Sequence, residues 1–285
     1  MYRILAILLV LLAFNRTPGQ DGPVEVRHGT ILLYEESSTQ VIVVADSKIH
    51  ADKSGKDENG CKIVNLSDDT LFFYTGNLFQ AVNTRTGSEI LSQQKVAHEA
   101  YSEVKTEPRS EQRLIDVANK YSELVRPEMN ELFRVAYAHD FSESAGLAGF
   151  ASLDEFKQPR IVLVAIPIHV SNDGAPAYTE VPYLSEPIQN KVYMGDYLEY
   201  RGVNEFLDAK TPRAKRAMDR FNSSVGKLPK TDVEVHKLIA AVQASLTWHR
   251  DIPTIGPPVD AVVIDSGTGI RWIKRKPKCS NKPSE

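Results

Sequence analysis

Four residues between positions 30 and 76 have the chemical types that acyl transfer needs. They are Thr30, Asp46, Lys62 and Gly76, and each lies beside a run of apolar, β-favouring residues. A hydroxyl can act as a nucleophile, a carboxylate can hold an ammonium group in place, and a glycine N–H can stabilise an oxyanion. The four residues therefore indicate a candidate hydrolytic site built on strands.

Apolar runs in the sequence predict the strands that hold these residues. Two hairpins are expected early in the chain, separated by a polar loop over Ile49–Gly60. Their strands are predicted at Thr30–Tyr34, Val41–Ala45, Lys62–Leu66 and Thr70–Tyr74. Each of the four candidate residues lies at or beside an end of one of these strands.

Helical and strand patterns follow one another in blocks over the rest of the chain. Asn77–Val104 contains helical stretches, and Ser110 is a predicted cap for an amphipathic helix that Pro127 breaks or restarts. Later helices are predicted to begin at Thr211-Pro212 and at Thr231–Glu234, which has capping-box spacing. Later strands are predicted at Gly146–Ser152, Arg160–Ile168, Tyr178–Tyr193, Val259–Ile264 and Gly269–Ile273. The segregated blocks favour one layered α+β domain.

The composition argues against several classes of function. The chain has 285 residues and a formal net charge of −3, which gives no reason to expect nucleic-acid binding, because phosphate binding favours a basic surface. The histidines show no metal-ligand spacing, and the sequence contains no phosphate-binding loop and no nucleophile-elbow motif. No cofactor or metal is predicted, and no nucleic acid is expected as a partner.

The N-terminus has the features of a secretory signal. One positive charge precedes the apolar run Ile4–Phe14, and a polar Pro-Gly segment follows it. The run is shorter than the roughly 20 residues that cross a bilayer as a helix. Residues 1–20 are therefore predicted to be a signal peptide, and the protein to be secreted or periplasmic. The alternative is a membrane anchor formed by residues 4–14.

The chain has two cysteines, Cys61 and Cys279. In an exported protein they could form a disulfide, but the sequence does not show whether they lie close enough. Cys61 precedes Lys62, so a reactive thiol is a second interpretation, although no matched histidine accompanies it nearby in the sequence. A structural cysteine is favoured.

The stretch from His28 to Gly76 resembles the β-type subunits of the proteasome and the bacterial HslV protease, which are N-terminal-nucleophile (Ntn) hydrolases. In that family a short propeptide ending in glycine is removed, which leaves a threonine at the new N-terminus. Gly29-Thr30 matches this junction, and Asp46-Ser47-Lys48, Lys62 and Gly76 follow at the family's spacing without a gap.

The resemblance implies a fold and a division of the chain. The fold would be a four-layer αββα sandwich, in which two antiparallel sheets are flanked by helices. The Ntn-hydrolase domain is then expected at residues 30–275, after a propeptide at 21–29. The basic, proline-containing composition of residues 276–285 predicts a disordered tail.

The resemblance also implies a role for each of the four residues. Thr30 would be the nucleophile and, once its α-amino group is free, also the base, because such an amine has a pKa of about 7.7–8.0. Lys62 would favour loss of the hydroxyl proton, and Asp46 would hold Lys62 charged and oriented. The N–H of Gly76 would face the developing oxyanion.

A later motif of the family is matched in part. The family carries Arg-Asp-x-x-Ser-Gly after its last long helix, and the stretch from Arg250 to Thr254 occupies that place. Asp251 matches, Thr254 keeps a hydroxyl, and Ile255 replaces the expected glycine one position before Gly256. Asp251 and Thr254 are therefore also candidate site residues.

An alternative register remains open. It aligns Gly29-Thr30-Ile31 with the Thr-Thr-Ile start of some family members and needs a one-residue insertion in the loop Glu35–Gln40. It puts Gly29 at the nucleophile position and would make the chain an inactive homologue. The ungapped register is favoured, partly because it supplies the Gly-Thr junction.

The resemblance implies an exported threonine-type peptidase or amidohydrolase that processes itself at Gly29–Thr30 and acts on a peptide or amide substrate. The runner-up is a catalytically inactive binding or assembly module of the same fold. Ring assembly in the family implies a homo-oligomer. An exported protein would lack the ATP-driven unfoldase partner of its cytoplasmic relatives.

Overall fold

The computed structural model describes residues 24–29, 31–51, 57–105, 108–136, 146–169, 178–179, 182–185, 192–194, 197–249, 256–276 and 279. The helices are α1 Gln93–Val104, α2 Glu111–Ala136, α3 Tyr197–Asp208, α4 Pro212–Val225 and α5 Val233–Trp248, with a 3₁₀ turn at Lys230–Asp232. The strands are β1 Val24–Gly29, β2 Leu32–Glu36, β3 Gln40–Asp46, β4 Lys48–Ala51, β5 Asp57–Asn59, β6 Ile63–Asn65, β7 Thr70–Asn83, β8 Glu89–Ser92, β9 Gly146–Leu153, β10 Pro159–Ile166, β11 Ile168–His169, β12 Tyr178–Thr179, β13 Tyr183–Ser185, β14 Val192–Met194, β15 Val259–Asp265 and β16 Gly269–Lys274.

The strands form two large antiparallel sheets. The nine-stranded sheet runs in the order β13-β10-β9-β7-β1-β4-β5, and β6 and β8 also pair with β7. The five-stranded sheet runs in the order β14-β2-β3-β15-β16, and β11 and β12 form a separate pair. This confirms the predicted α+β class and both antiparallel sheets.

Side chains along the central strands of the nine-stranded sheet point alternately to its two faces, so the hydrophobic core has two parts. In β7, Leu71 and Phe73 pack toward the five-stranded sheet, whereas Phe72 and Tyr74 pack toward α1 and α2. Successive side chains of a strand point to opposite faces, so a strand that is apolar on every residue must be covered on both sides. Helix α5 packs against β3 and β15 of the five-stranded sheet. The packing of sheets and helices is compatible with a sandwich.

Three local predictions differ from the structure. Residues 77–83 belong to strand β7 and not to a helix, because they pair with β1 and β8. The stretch predicted as the loop Ile49–Gly60 contains β4 and β5, which pair with each other. Helix α2 continues through Pro127, because the apolar face on both sides of that residue is buried. In each case tertiary contacts override a local preference.

The predicted helix starts are partly confirmed. The Ser110 hydroxyl accepts a hydrogen bond of 3.0 Å from the Arg113 N–H, and the Thr211 hydroxyl accepts one of 3.3 Å from the Ala214 N–H. The predicted capping box at Thr231 does not form. A 3₁₀ turn covers Lys230–Asp232, so Asp232 takes the N-cap position of α5, and its side chain makes no capping hydrogen bond. Thr211 caps α4 from an extended backbone, the conformation usual for a residue at that position.

An ion pair between α3 and α4 makes a testable contribution to acid stability. Arg213 donates to Glu205 through its Nε at 2.6 Å, and Thr211 also donates to the Glu205 carboxylate. Hydrogen bonding from Arg213 lowers the pKa of Glu205 to about 2 from an ordinary 4.5. Because the folded-state pKa is lowered, the stabilisation is complete above about pH 4.5 and is lost as the pH falls toward 2.

We therefore expect Glu205→Gln to lower the free energy of unfolding by about 1–2 kcal/mol at pH 7, a value reduced by the partial exposure of Arg213. Urea unfolding at several pH values should show this difference shrinking below pH 4.5. Asp208→Asn is the matched control, because its ion pair with Lys210 is exposed and should contribute little. An equal loss in both variants, or a pH-independent loss in Glu205→Gln, would contradict the assignment.

Candidate active site

Asp46 ends strand β3, is fully buried and has both carboxylate oxygens occupied. Its Oδ1 accepts a hydrogen bond of 3.0 Å from the Ile31 N–H and is also ion-paired with the Nζ of Lys62. Its Oδ2 accepts hydrogen bonds of 3.1 Å from the Gly256 N–H and 3.3 Å from the Lys48 N–H. Four segments that are distant in sequence thus meet at one carboxylate, which is held in a single orientation.

Lys62 lies just before strand β6, and its side chain is completely buried. Removing a lysine and an aspartate from water is costly, and only close pairing with further hydrogen bonds offsets that cost. Asp46 supplies the pairing, and the backbone N–H groups around Asp46 supply the further hydrogen bonds. Two of the predicted site residues, Asp46 and Lys62, are therefore in direct contact.

Gly76 lies where strand β7 changes partners. Residues 70–75 pair with β9, and Gly76 is opposite Gly29, the last residue of β1. Its φ of +136° is a conformation that residues with a side chain rarely adopt, and a Cβ would lie 2.7 Å from the Cα of Gly146. Only glycine fits this position, and its backbone faces the residue that precedes Thr30.

Three predicted site residues, Thr30, Asp251 and Thr254, lie outside the described residues. The chain neighbours of Thr30 are described. Gly29 is paired with Gly76, and Ile31 donates its N–H to Asp46.

Gly256 and Ser47 contribute contacts that the sequence analysis did not predict as part of the site. The Gly256 N–H binds Asp46, and its carbonyl accepts a hydrogen bond of 3.2 Å from the Ser47 N–H. The sequence signals were the place of Ser47 in the matched motif Asp46-Ser47-Lys48 and the position of Gly256, one residue after the glycine expected in the later motif. The Ser47 side chain is buried, and its Oγ has no hydrogen-bond partner among the described residues.

Tyr74 is a further buried polar residue next to Gly76. A Cβ on Gly146 would lie 2.0 Å from the Tyr74 hydroxyl oxygen, so the phenol occupies the space that a side chain at 146 would need. Burial raises the pKa of Tyr74 well above its ordinary value, so the phenol stays protonated and neutral. Tyr74 therefore packs beneath the Gly76–Gly146 contact.

Cys61 and Cys279 form a disulfide, which settles the alternatives that the sequence left open. Neither cysteine is a free thiol, so Cys61 cannot act as a reactive cysteine in this state. Lys276 and Cys279, which the composition assigned to a disordered tail, are both buried against the domain. The disulfide closes a long loop and attaches the C-terminal segment to the residue before Lys62.

The described residues contain no group of three histidine, cysteine or acidic residues that could hold a metal ion. Within the described part of the chain, no helix is long and apolar enough to cross a membrane. The apolar run at residues 4–14, and with it the predicted signal peptide or anchor, lies outside the described residues.

Comparison of the chain with models of known protein families finds no match, and comparison with curated proteins finds none either.

Proposed function

We propose that this protein is an exported threonine-type peptidase or amidohydrolase with the four-layer αββα Ntn fold. One observation carries the proposal. The buried Asp46 carboxylate binds the N–H of Ile31, the residue after Thr30, and the same oxygen is paired with the Lys62 ammonium. A fixed ammonium group close to residue 31 is the electrostatic feature that activation of a Thr30 hydroxyl needs.

The reaction needs no component beyond the chain and water. In the proposed first step, the Thr30 hydroxyl oxygen attacks the carbonyl carbon of Gly29, which converts the amide to an ester and frees the α-amine of Thr30. Water then hydrolyses the ester, and residue 29 leaves as a carboxylate. The freed amine, with a pKa of about 7.7–8.0, can accept the hydroxyl proton in later cycles.

Strand β1 supports this reading of the site. It lies between β7 and β4, with Gly29 opposite both Gly76 and Ile49. If the chain is cut after Gly29, β1 can leave and expose two unpaired strand edges. An extended peptide could then pair with these edges through its backbone, so we expect substrates to be small or unfolded chains.

The same strand also supports the second candidate, an inactive binding or assembly module. β1 pairs along both of its edges and links β4 and β5 to the rest of the nine-stranded sheet. Its loss would remove one ladder of backbone hydrogen bonds on each side. A chain that keeps β1 would have no free amine at Thr30, and Asp46 and Lys62 would then be purely structural.

The proposed location and partners have indirect support. A disulfide between Cys61 and Cys279 is typical of oxidising compartments outside the cytoplasm. We therefore propose a secreted or periplasmic protein that works without an ATP-driven unfoldase. Assembly into a homo-oligomeric ring is proposed from the family resemblance alone.

The mass and N-terminal sequence of the purified mature protein test the proposal. An active enzyme should begin at Thr30, whereas Thr30→Ala should retain the bond to Gly29 because the attacking hydroxyl is absent. Thr30→Ser is the matched control, since it keeps a hydroxyl and should still be cleaved at a reduced rate.

Fully mature material that begins near Asp21 would contradict the enzyme and favour the inactive module. Cleavage of Thr30→Ala at the same bond would show that another protease makes the cut.

A further inference from the structure

We infer that the C-terminal strap, defined as Arg275, Lys276 and Cys279, is a positioning element that fixes Lys62 in the candidate active site. The inference rests on the proposed function, in which Lys62 activates Thr30. The strap contacts the backbone leading to Lys62 and does not contact Asp46 in any described hydrogen bond.

The segment Gly60–Lys62 lies before strand β6 and depends on other parts of the chain for its position. The Nζ of Lys276 donates to the Gly60 carbonyl, and Cys279 is bonded to Cys61. The Gly60 N–H donates to the carbonyl of Ser47 at 2.8 Å. The strap therefore holds both residues that precede Lys62, namely Gly60 and Cys61. Gly60 is also held by Ser47, the residue after Asp46.

Lys276 is a second buried lysine near the first. It is 6% exposed, its Nζ lies 3.0 Å from Asp260 Oδ2, and its N–H donates to Asp260 Oδ1 at 3.0 Å. Asp260 follows Val259, the residue of β15 that pairs with Asp46. Burial lowers the pKa of Lys276, and the nearby Lys62 ammonium lowers it further. The Asp260 carboxylate acts in the opposite direction and raises this pKa. The two buried ion pairs are thus close enough to interact.

The strap is itself anchored to strands β16 and β6. The Arg275 guanidinium lies 4.5 Å from the centroid of the Trp272 ring and donates to the Cys279 carbonyl at 2.6 Å. The Trp272 indole N–H donates to the Asn65 side chain at 3.2 Å. An aromatic contact, a disulfide and a buried ion pair therefore fix the strap.

The first test measures the rate of cleavage at Gly29–Thr30 in the full-length chain. Lys276→Met alone would leave Asp260 as an unpaired buried charge and lower stability, so the informative variant is Lys276→Met combined with Asp260→Asn. We expect this double variant to fold and to process about 10- to 100-fold more slowly, because a shift of about 1 Å in a catalytic group can cost that much. Lys274→Met is the control, since Lys274 is exposed at the end of β16.

The second test observes Lys62 directly through the ¹⁵N resonance of its ammonium group, assigned by its absence in Lys62→Met. We expect the resonance to shift in the double variant and in Cys61→Ser combined with Cys279→Ser, and to stay unchanged in Lys274→Met. A merely structural strap would change the melting temperature without moving this resonance.

Wild-type cleavage rates in a folded double variant, or an unmoved Lys62 resonance, would overturn the inference. If the wild-type chain is never cut at Gly29–Thr30, the proposed function fails, and the Lys62 resonance alone still decides whether the strap positions that lysine.

Discussion

Lys62→Met is expected to abolish self-processing at Gly29–Thr30 and to lower the free energy of unfolding by about 3–5 kcal/mol. The stability loss arises because Asp46, which is fully buried, loses the side chain with which it forms an ion pair. The catalytic loss arises because no ammonium remains to favour loss of the hydroxyl proton from Thr30. Urea unfolding and mass spectrometry of the mature protein measure the two effects separately.

A second substitution separates stability from catalysis. Lys62→Met combined with Asp46→Asn removes both charges, so much of the lost stability should return while processing stays absent. Asp154→Ala is a matched control for destabilisation, because this buried aspartate holds the β9–β10 turn through Phe156, Gln158 and Arg160. It should lower stability and leave the bond at Gly29 cleavable. Efficient processing of Lys62→Met would remove Lys62 from the proposed mechanism.

Gly76→Ala is expected to destabilise the protein by about 3 kcal/mol or more. The φ of +136° costs an alanine roughly 1–3 kcal/mol, and a Cβ placed 2.7 Å from the Gly146 Cα adds a packing conflict of similar size. The backbone opposite Gly29 must shift to relieve this conflict, so processing should slow as well. Thermal or urea unfolding and the rate of cleavage after Gly29 provide the measurements.

Two other glycines provide matched controls for Gly76→Ala. Gly87 also has a positive φ, +71°, but a Cβ there meets nothing within 4 Å, so Gly87→Ala should cost about 1 kcal/mol through the backbone alone. Gly226 has open space and helical dihedrals, so Gly226→Ala should change stability by no more than about 0.5 kcal/mol. If Gly76→Ala behaves like Gly87→Ala, the close approach to Gly146 does not constrain the site.

The family resemblance implied that Asp46 holds Lys62, and the structure brings the two side chains into contact. Strand β3, which ends at Asp46, and strand β6, which follows Lys62, belong to different sheets, so the contact depends on how the two sheets pack and not on a local pattern. Nothing in the sequence required Gly256 or Ser47 to join them, because those contacts depend on how β15 pairs with β3. The catalytic roles of all six candidate residues, Thr30, Asp46, Lys62, Gly76, Asp251 and Thr254, stay predictions.

The sequence by itself determined the α+β class, most of the apolar strands and the caps at Ser110 and Thr211, because these depend on local patterns and on hydrogen bonds within a few residues. Only the tertiary structure decided that the polar lead before Thr30 is strand β1 and that Asn77–Asn83 extends β7, because each needs a partner far along the chain. The same holds for the burial of Lys276, since a lysine in a basic tail is indistinguishable from a solvated one until Asp260 and the Gly60 carbonyl are brought to it.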